Sequence, residues 1–293
     1  MTVEFDAELQ AVPTRDAASV VLLRDGIDGL ELFFVQRRAE ARFMGGAYVF
    51  PGGKLDDEDT RADLPCDLDA DVAALRLGET DAVRARGLFV AALRECFEEA
   101  GVLLTVEPLD PEAMAVLRAA HSQSGARFCE RLQSASLRLR ASALVPLVRW
   151  ITPRGETKRF DARFFLAAAP PDAAASHDEG ETVANLWLSP QRAIDAALER
   201  RILLVPPTYR TVQGLTRAAT VAEALALATL PVPVLEPRVA FGDSGEIHIL
   251  LPDDPDYPRA DAPLGVSTTV RSDQWATRFL YADGSWFPGR RAA

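Results

Sequence analysis

Two apolar runs near the start of the chain have the length and make-up of strands. Ala18-Ser19-Val20-Val21-Leu22-Leu23 is one, Leu30-Glu31-Leu32-Phe33-Phe34-Val35 is the other, and Asp25-Gly26-Ile27-Asp28-Gly29 lies between them. Turn-forming residues between two β-rich runs predict a hairpin. Further on the period changes. Phe89, Leu93, Cys96, Phe97 and Ala100 recur at helical spacing, about 100° per residue, while Glu95, Glu98 and Glu99 fall on the opposite side. Gly101 then offers the positive φ that closes a helix.

The rest of the pattern continues this mixture. Residues 102–106 read as a strand, 111–122 and 126–140 as amphipathic helices, and 144–151 and 159–167 as strands around Pro153-Arg154-Gly155. In the last of these, Phe160 and Phe164 share one face, and Asp161, Arg163 and Phe165 share the other. Residues 183–188 form a further strand, and Ser189-Pro190 supplies the N-cap and first turn of a helix running to about Arg200. Pro206 starts another helical stretch, Thr220 and Glu223 have capping-box spacing, and residues 239–241 and 246–250 suggest a hairpin in a proline-rich tail.

Composition narrows the options. A formal charge of −11 argues against a nucleic-acid binder or a protein drawn to anionic membranes. Cys66, Cys96 and Cys129 have no metal spacing, and His121, His177 and His248 form no ligand cluster. No apolar stretch reaches membrane-spanning length, and the N-terminus lacks a basic region followed by an apolar run. The C-terminal Arg290-Arg291-Ala292-Ala293 is not a peroxisomal address. The expectation is a cytoplasmic protein with reduced thiols.

Chemistry enters with the acidic helix. Glu95, Glu98 and Glu99 sit at i, i+3 and i+4, so their carboxylates are neighbours. They are either a solvated face with Arg94 paired to Glu98, or a ligand set for a hard divalent cation such as Mg²⁺ or Mn²⁺. Upstream, Phe50-Pro51-Gly52-Gly53-Lys54-Leu55 reads as a strand end entering a glycine turn. Together the two segments resemble the Nudix box, Gly-x5-Glu-x7-Arg-Glu-U-x-Glu-Glu-x-Gly-U, where U is a bulky aliphatic. Gly53 matches its opening glycine, and Arg94, Glu95, Glu98, Glu99, Gly101 and Val102 match its second half, with Cys96 at a U position. The first box Glu falls on Asp59. The box Arg would fall at position 67 but stands at 94, so the box is interrupted by 27 residues. Such an interruption after Phe-Pro-Gly-Gly resembles the coenzyme A diphosphatase-like branch. The spacing of Arg42, Gly46 and Phe50 before Pro51 matches the end of a motif of coenzyme A-cleaving Nudix enzymes. Its Thr-rich beginning is replaced here by Val35-Gln36-Arg37.

The resemblance implies a Nudix-type α/β/α sandwich with a mixed sheet. Residues 1–230 would form the Nudix domain, with insertions at about 60–87 and 110–140, and 231–293 a C-terminal extension packed on it. The 60–87 insertion, helical from Val72 to Leu77, broken at Gly78 and resuming near Thr80 with a kink at Gly87, reads as a lid, an oligomer contact or, most simply, a tolerated surface loop. The basic residues Arg127, Arg131, Arg138 and Arg140 read as a solvated face. The resemblance further implies Mg²⁺- or Mn²⁺-dependent hydrolysis of a nucleoside diphosphate linked to another group, with coenzyme A or acyl-coenzyme A favoured. ADP-ribose, a nucleotide sugar or a dinucleotide are the alternative substrates, and a non-catalytic regulatory nucleotide-binding domain is the alternative of another class. Glu95, Glu98, Glu99 and the carbonyl near Gly52 would hold metal. Arg94 would order the acids, and the base would be Glu98, Glu99 or a loop acid, Glu179 or Glu181. Arg37, Arg38, Arg42, Phe50 and Gly53 are the candidate substrate contacts, the arginines being equally readable as a solvated strand end. Partners beyond the small-molecule substrate are limited to a homodimer, a family expectation.

Overall fold

Alternate residues of the central strands enter two different cores, and this divides the molecule into layers. In the computed structural model, which describes residues 12–40, 44–109, 111–123, 128–171, 182–242, 246–259, 276–282 and 285–289, the predicted hairpin pairs β1 (Arg15–Gly26) with β2 (Gly29–Arg37), Leu23 opposite Leu32. Val20, Leu22, Phe33 and Val35 point into one core; Val21, Leu23, Leu32 and Phe34 point into the other. A sheet apolar on both faces must be covered on both.

The remaining strands of this sheet are β3 (Tyr48–Val49), β4 (Gly52–Lys54), β5 (Val145–Ile151), β6 (Phe160–Ala168), β7 (Thr182–Leu188) and β8 (Val234–Leu235). Their path is β3-β2-β1-β6-β5-β8, with β4 on β1 and β7 on β2. β1 runs parallel to β6 and β5 parallel to β8; the other pairings are antiparallel. The sheet is therefore mixed, as expected of an α/β/α sandwich. Gly52 and Gly53, read from sequence as a turn, are instead paired with Ser19 and Ala18. Low strand propensity is overridden there because β1 offers a free edge.

One face is covered by α1 (Ala70–Leu77), α2 (Ala82–Ala100), α3 (Pro111–Gln123) and α4 (Phe128–Ser134). α2 is buried on nearly every side, with Leu88 to Leu93 inaccessible to solvent. Burying each such Leu or Phe contributes about 1.5–3 kcal/mol. Its N-cap is Asp81, whose carboxylate accepts from the Arg84 N–H at 3.0 Å, and its C-cap is Gly101 at φ 66°. The expected kink at Gly87 is absent as a break: α2 runs through it as one helix. The inserted segment is not a loose surface loop, since Leu64, Leu68 and Ala73 are buried in the same core as α2.

Other expectations need correction. Residues 102–106 form no strand; Thr105 alone bridges Leu139, and Val102, Leu103 and Leu104 are buried as irregular chain. The pairing with residues 138–140 stops at that one bridge, flanked by the Arg140 N–H on the Leu104 carbonyl at 2.9 Å and the Val106 N–H on the Arg138 carbonyl at 3.0 Å. The predicted 126–140 helix is only Phe128–Ser134, leaving Arg138 and Arg140 beyond it, while Arg131 is buried rather than solvated. Arg127 lies outside the described residues.

The opposite face is covered by α5 (Pro190–Leu198), α6 (Pro206–Leu215) and α7 (Val221–Ala226). Ser189 caps α5 as predicted, its Oγ accepting from the Arg192 N–H. The C-terminal strands β9 (Arg238–Phe241), β10 (Ile247–Leu250), β11 (Arg278–Ala282) and β12 (Ser285–Pro288) make an antiparallel sheet in the order β12-β11-β10-β9. Ile249, Phe279 and Trp286 share the core of α5 and α6, with Tyr209 and Phe279 rings 5.5 Å apart. Among the described residues no helix is long and apolar enough to cross a membrane.

Candidate active site

Arg94 is the hub of the acidic stretch. It sits on α2, only 6% exposed, and its guanidinium reaches four groups. Nε donates to Asp59 Oδ1 at 2.8 Å and Nη2 to Asp59 Oδ2 at 3.0 Å, a bidentate pair in the interior. Nη1 donates to Glu95 at 2.9 Å and Glu98 at 3.0 Å, and Nη2 also reaches the Lys54 carbonyl at 3.0 Å. The Arg94–Glu98 pair of the simpler reading does exist, but within a buried cluster and not on a solvated face. Asp59 is fully buried, and its carboxylate also accepts from the Asp56 N–H at 2.9 Å.

The glycines of β4 bring the remaining acids close. The Gly52 N–H donates to Glu99 Oε2 at 2.9 Å. A Cβ on Gly53 would lie 2.3 Å from Glu95 Oε1, and one on Gly52 would lie 2.5 Å from the Ala18 carbonyl. Gly53 is therefore what lets Glu95 lie against the strand backbone. It makes room for an acid, which is a different task from the substrate contact expected of it.

The electrostatics are uneven. Burial works against the charge on Arg94, yet the Asp59 hydrogen bonds and the charges of Glu95, Asp59 and Glu98 hold its pKa well above the usual value. Burial pushes the Glu95 carboxyl up to about 7; Arg94 pulls it down and the Glu98 charge adds to the rise. The guanidinium binds Asp59, Glu95 and Glu98 together and also lies 3.6 Å from Asp56. Carboxylates are hard oxygen donors of the kind that suit a divalent cation such as Mg²⁺ or Mn²⁺. Among the described residues, however, no three acidic, His or Cys side chains already converge as a coordination shell. Glu95 and Glu98 are turned to Arg94, and Glu99 to the Gly52 amide. The donor chemistry fits a cation, and the carboxylates would have to exchange these hydrogen bonds to hold it.

The other expected site residues scatter. Phe50 is 3% exposed, stacked on Phe34 at 5.2 Å and edge-on to Phe164 at 6.1 Å, so its ring is a core group and not a ligand contact. Arg37 is half-buried, its Nε without a hydrogen-bond partner among the described residues. Arg38 is exposed. Arg42, Glu179 and Glu181 lie outside the described residues. One neighbour of the site, Arg86, went unread in the sequence, and Gly87, read there as a kink, is instead a point of close approach to Thr60.

Residues 76–215 match the family model for the NUDT19 Nudix domain. The chain belongs to the Nudix hydrolases. Within that family its similarity lies with the coenzyme A diphosphatase branch. The human acyl-coenzyme A diphosphatase NUDT19 is 29% identical over 238 residues, covering 67% of this chain and 63% of the relative. The Gallus gallus protein of the same name is 30% identical over 253 residues, covering 67% and 66%. The chain thus spans just under two thirds of these relatives. The crystal structure of a Nudix hydrolase from Alicyclobacillus acidocaldarius superposes with a TM-score of 0.60 at 25% identity, over 73% of this chain and 96% of that one. The Asp59–Arg94 pair joins positions 35 residues apart, Arg94 within the matched span and Asp59 before it.

Proposed function

We propose that this Nudix protein hydrolyses the phosphoanhydride of coenzyme A or an acyl-coenzyme A with the help of Mg²⁺ or Mn²⁺. The observation that carries the reading is the Arg94 hub, which gathers Asp59, Glu95 and Glu98 beside Gly52 and Glu99. The substrate assignment draws on the acyl-coenzyme A diphosphatase relatives.

Glu95, Glu98, Glu99 and the carbonyl of Gly52 would hold the cation, which when bound supplies a Lewis acid for the phosphate oxygens. Arg94 orients the carboxylates by binding Glu95 and Glu98 through one nitrogen. Glu98 is the most open of the three acids, its side chain 27% exposed, and is the favoured group to take a proton from the attacking water; Glu99, Glu179 and Glu181 are the alternatives. Arg37, Arg38 and Arg42 are the proposed phosphate contacts, since a guanidinium suits bidentate binding. In the net reaction water adds to one phosphorus, the P–O–P bond breaks, and coenzyme A yields 3′,5′-ADP and 4′-phosphopantetheine. All three cysteines are free thiols, in keeping with a cytoplasmic site of action.

The test is incubation with Mg²⁺ or Mn²⁺ and coenzyme A, acetyl-coenzyme A, ADP-ribose, NADH, a nucleotide sugar or a dinucleoside polyphosphate, with products identified by mass. Release of 3′,5′-ADP supports the full reading. Cleavage of ADP-ribose alone keeps the chemistry and discards the substrate. No turnover by folded protein moves the chain to a binding role.

A further inference from the structure

We infer that Arg86 is a positioning residue for the acidic cluster, clamping the inserted segment so that Asp59 and Arg94 meet as though the box were continuous. This rests on the function proposed above. Asp59 and Arg94 are 35 positions apart, and a tether of that length does not by itself fix where Asp59 sits. Something must hold the Asp59 turn on α2.

Arg86 is placed to do so. Its Nη1 donates to the Arg61 carbonyl at 3.1 Å, Nη2 to the Leu64 carbonyl at 2.7 Å and Nε to the Leu68 carbonyl at 3.2 Å. These three acceptors open the inserted segment, and Arg61 lies two residues after Asp59. Each of the three guanidinium nitrogens meets a different carbonyl, so the planar fork is used in full. Gly87, the next residue, lies within about 20° of Arg94 around the helix, two turns earlier. A Cβ there would lie 2.8 Å from Thr60 Cγ2, 3.1 Å from Leu55 Cδ1 and 3.5 Å from the Asp59 carbonyl, so the helix backbone touches the turn that carries Asp59.

The far side of the segment is fastened as well. Leu64 and Leu68 are buried in the α2 core, the Asp67 N–H donates to the Leu139 carbonyl at 3.0 Å, and the Leu139 N–H donates to the Pro65 carbonyl at 2.9 Å. Arg86 itself contacts none of the site carboxylates in these bonds. Its effect would run through Asp59 to Arg94, and from Arg94 to Glu95 and Glu98.

The experiment compares the full-length protein with Arg86→Met, reading Mn²⁺ affinity by electron paramagnetic resonance and, separately, kcat and KM for coenzyme A. Arg86→Met should weaken Mn²⁺ binding by about 10-fold or more, the scale of losing a group that orients metal ligands. kcat should fall in parallel, with KM nearly unchanged. Arg278→Met, which breaks a buried pair with Asp254 in the C-terminal sheet, is the control for lost stability and should keep wild-type Mn²⁺ affinity. If Arg86→Met lowers the melting temperature yet leaves Mn²⁺ affinity and kcat per folded molecule at wild-type values, Arg86 is only structural and the inference falls. Should Arg86→Met fail to fold, Arg86→Lys, which retains the charge and part of the donor set, faces the same two outcomes. A wild-type protein that takes up no Mn²⁺ would remove the proposed function and the inference together, a result distinct from a silent variant of a metal-binding protein.

Discussion

The helix α2 meets an ionic cluster at each end, and the two differ in what burial does to their acids. Near its N-terminus, Arg84, Arg149 and Arg163 face Asp16, Glu79 and Asp161. Arg84 donates to Asp16 at 2.6 Å and to Glu79 at 2.9 Å; Arg149 grips Asp161 at 2.8 and 2.6 Å; Arg163 reaches Asp161 at 2.8 Å and also pairs with Glu79. Three cations there answer three anions. Near the C-terminus, Arg94 binds Asp59, Glu95 and Glu98 at once. The acids respond in opposite directions. Burial opposes the charge on Asp16, but the Arg84 hydrogen bond and the charges of Arg84, Arg163 and Arg149 bring its pKa below the usual value. Glu95 is pushed up to about 7, mainly by burial. Guanidinium contacts outweigh the cost of burial at Asp16, whereas at Glu95 burial outweighs them.

The sharpest break of this contrast is Glu98→Gln. It should cut turnover by about 10²–10⁴-fold, the range for losing a general base, while the thermal midpoint stays near wild type. Product release at saturating substrate and a circular dichroism melt read both, and unchanged turnover would discard the assignment of Glu98. Arg163→Met addresses the N-terminal end. Leaving Glu79 and Asp161 short of a partner should cost about 3–5 kcal/mol in urea unfolding, with kcat per folded molecule preserved. A loss of kcat without loss of stability would show that the two ends are not separable.

Smaller effects sharpen the same distinction. Mn²⁺ at about 100 times its Kd should stabilise the wild type by about 2.7 kcal/mol. That increment should survive in Arg163→Met and shrink in Glu98→Gln; an equal increment in both would deny the cluster its role. The smallest effect is in acid. Because the folded pKa of Asp16 is lowered, its stabilisation is present above the unfolded value of 3.8 and is lost as pH falls through the lower folded value. Urea midpoints measured downward from pH 5 should fall less steeply in Asp16→Asn than in wild type, and identical slopes would exclude Asp16 as a contributor.

Much of this architecture is written in local pattern. The β1–β2 hairpin follows from two apolar runs around a turn, α2 from its spacing and Gly101, and α5 from Ser189-Pro190. What escaped depends on distant partners. Gly52 and Gly53 join a strand because β1 has an edge to offer, and residues 102–106 reach only a single bridge, between Thr105 and Leu139. The order of the acids around Arg94 was readable from spacing. That Asp59 would serve as its main partner, that Gly53 makes room for Glu95, and that Arg86 grips three carbonyls were not, since each joins segments far apart in sequence. The opposite shifts of Asp16 and Glu95 are likewise a tertiary property: residue counts give net charge but not which cations reach which acids.

The parallel register of β1 with β6 carries a consequence for biosynthesis. Arg15 lies opposite Phe160, so the first strand to leave the ribosome waits for its parallel neighbour until more than half the chain has been translated. During that interval Val20 to Leu23, apolar toward both faces, is left with an uncovered edge. Pairing across such a separation is slow to form and exposes sticky intermediates. Chains truncated before residue 160 should therefore collect in the insoluble fraction, and chaperone demand during expression should peak before β6 emerges.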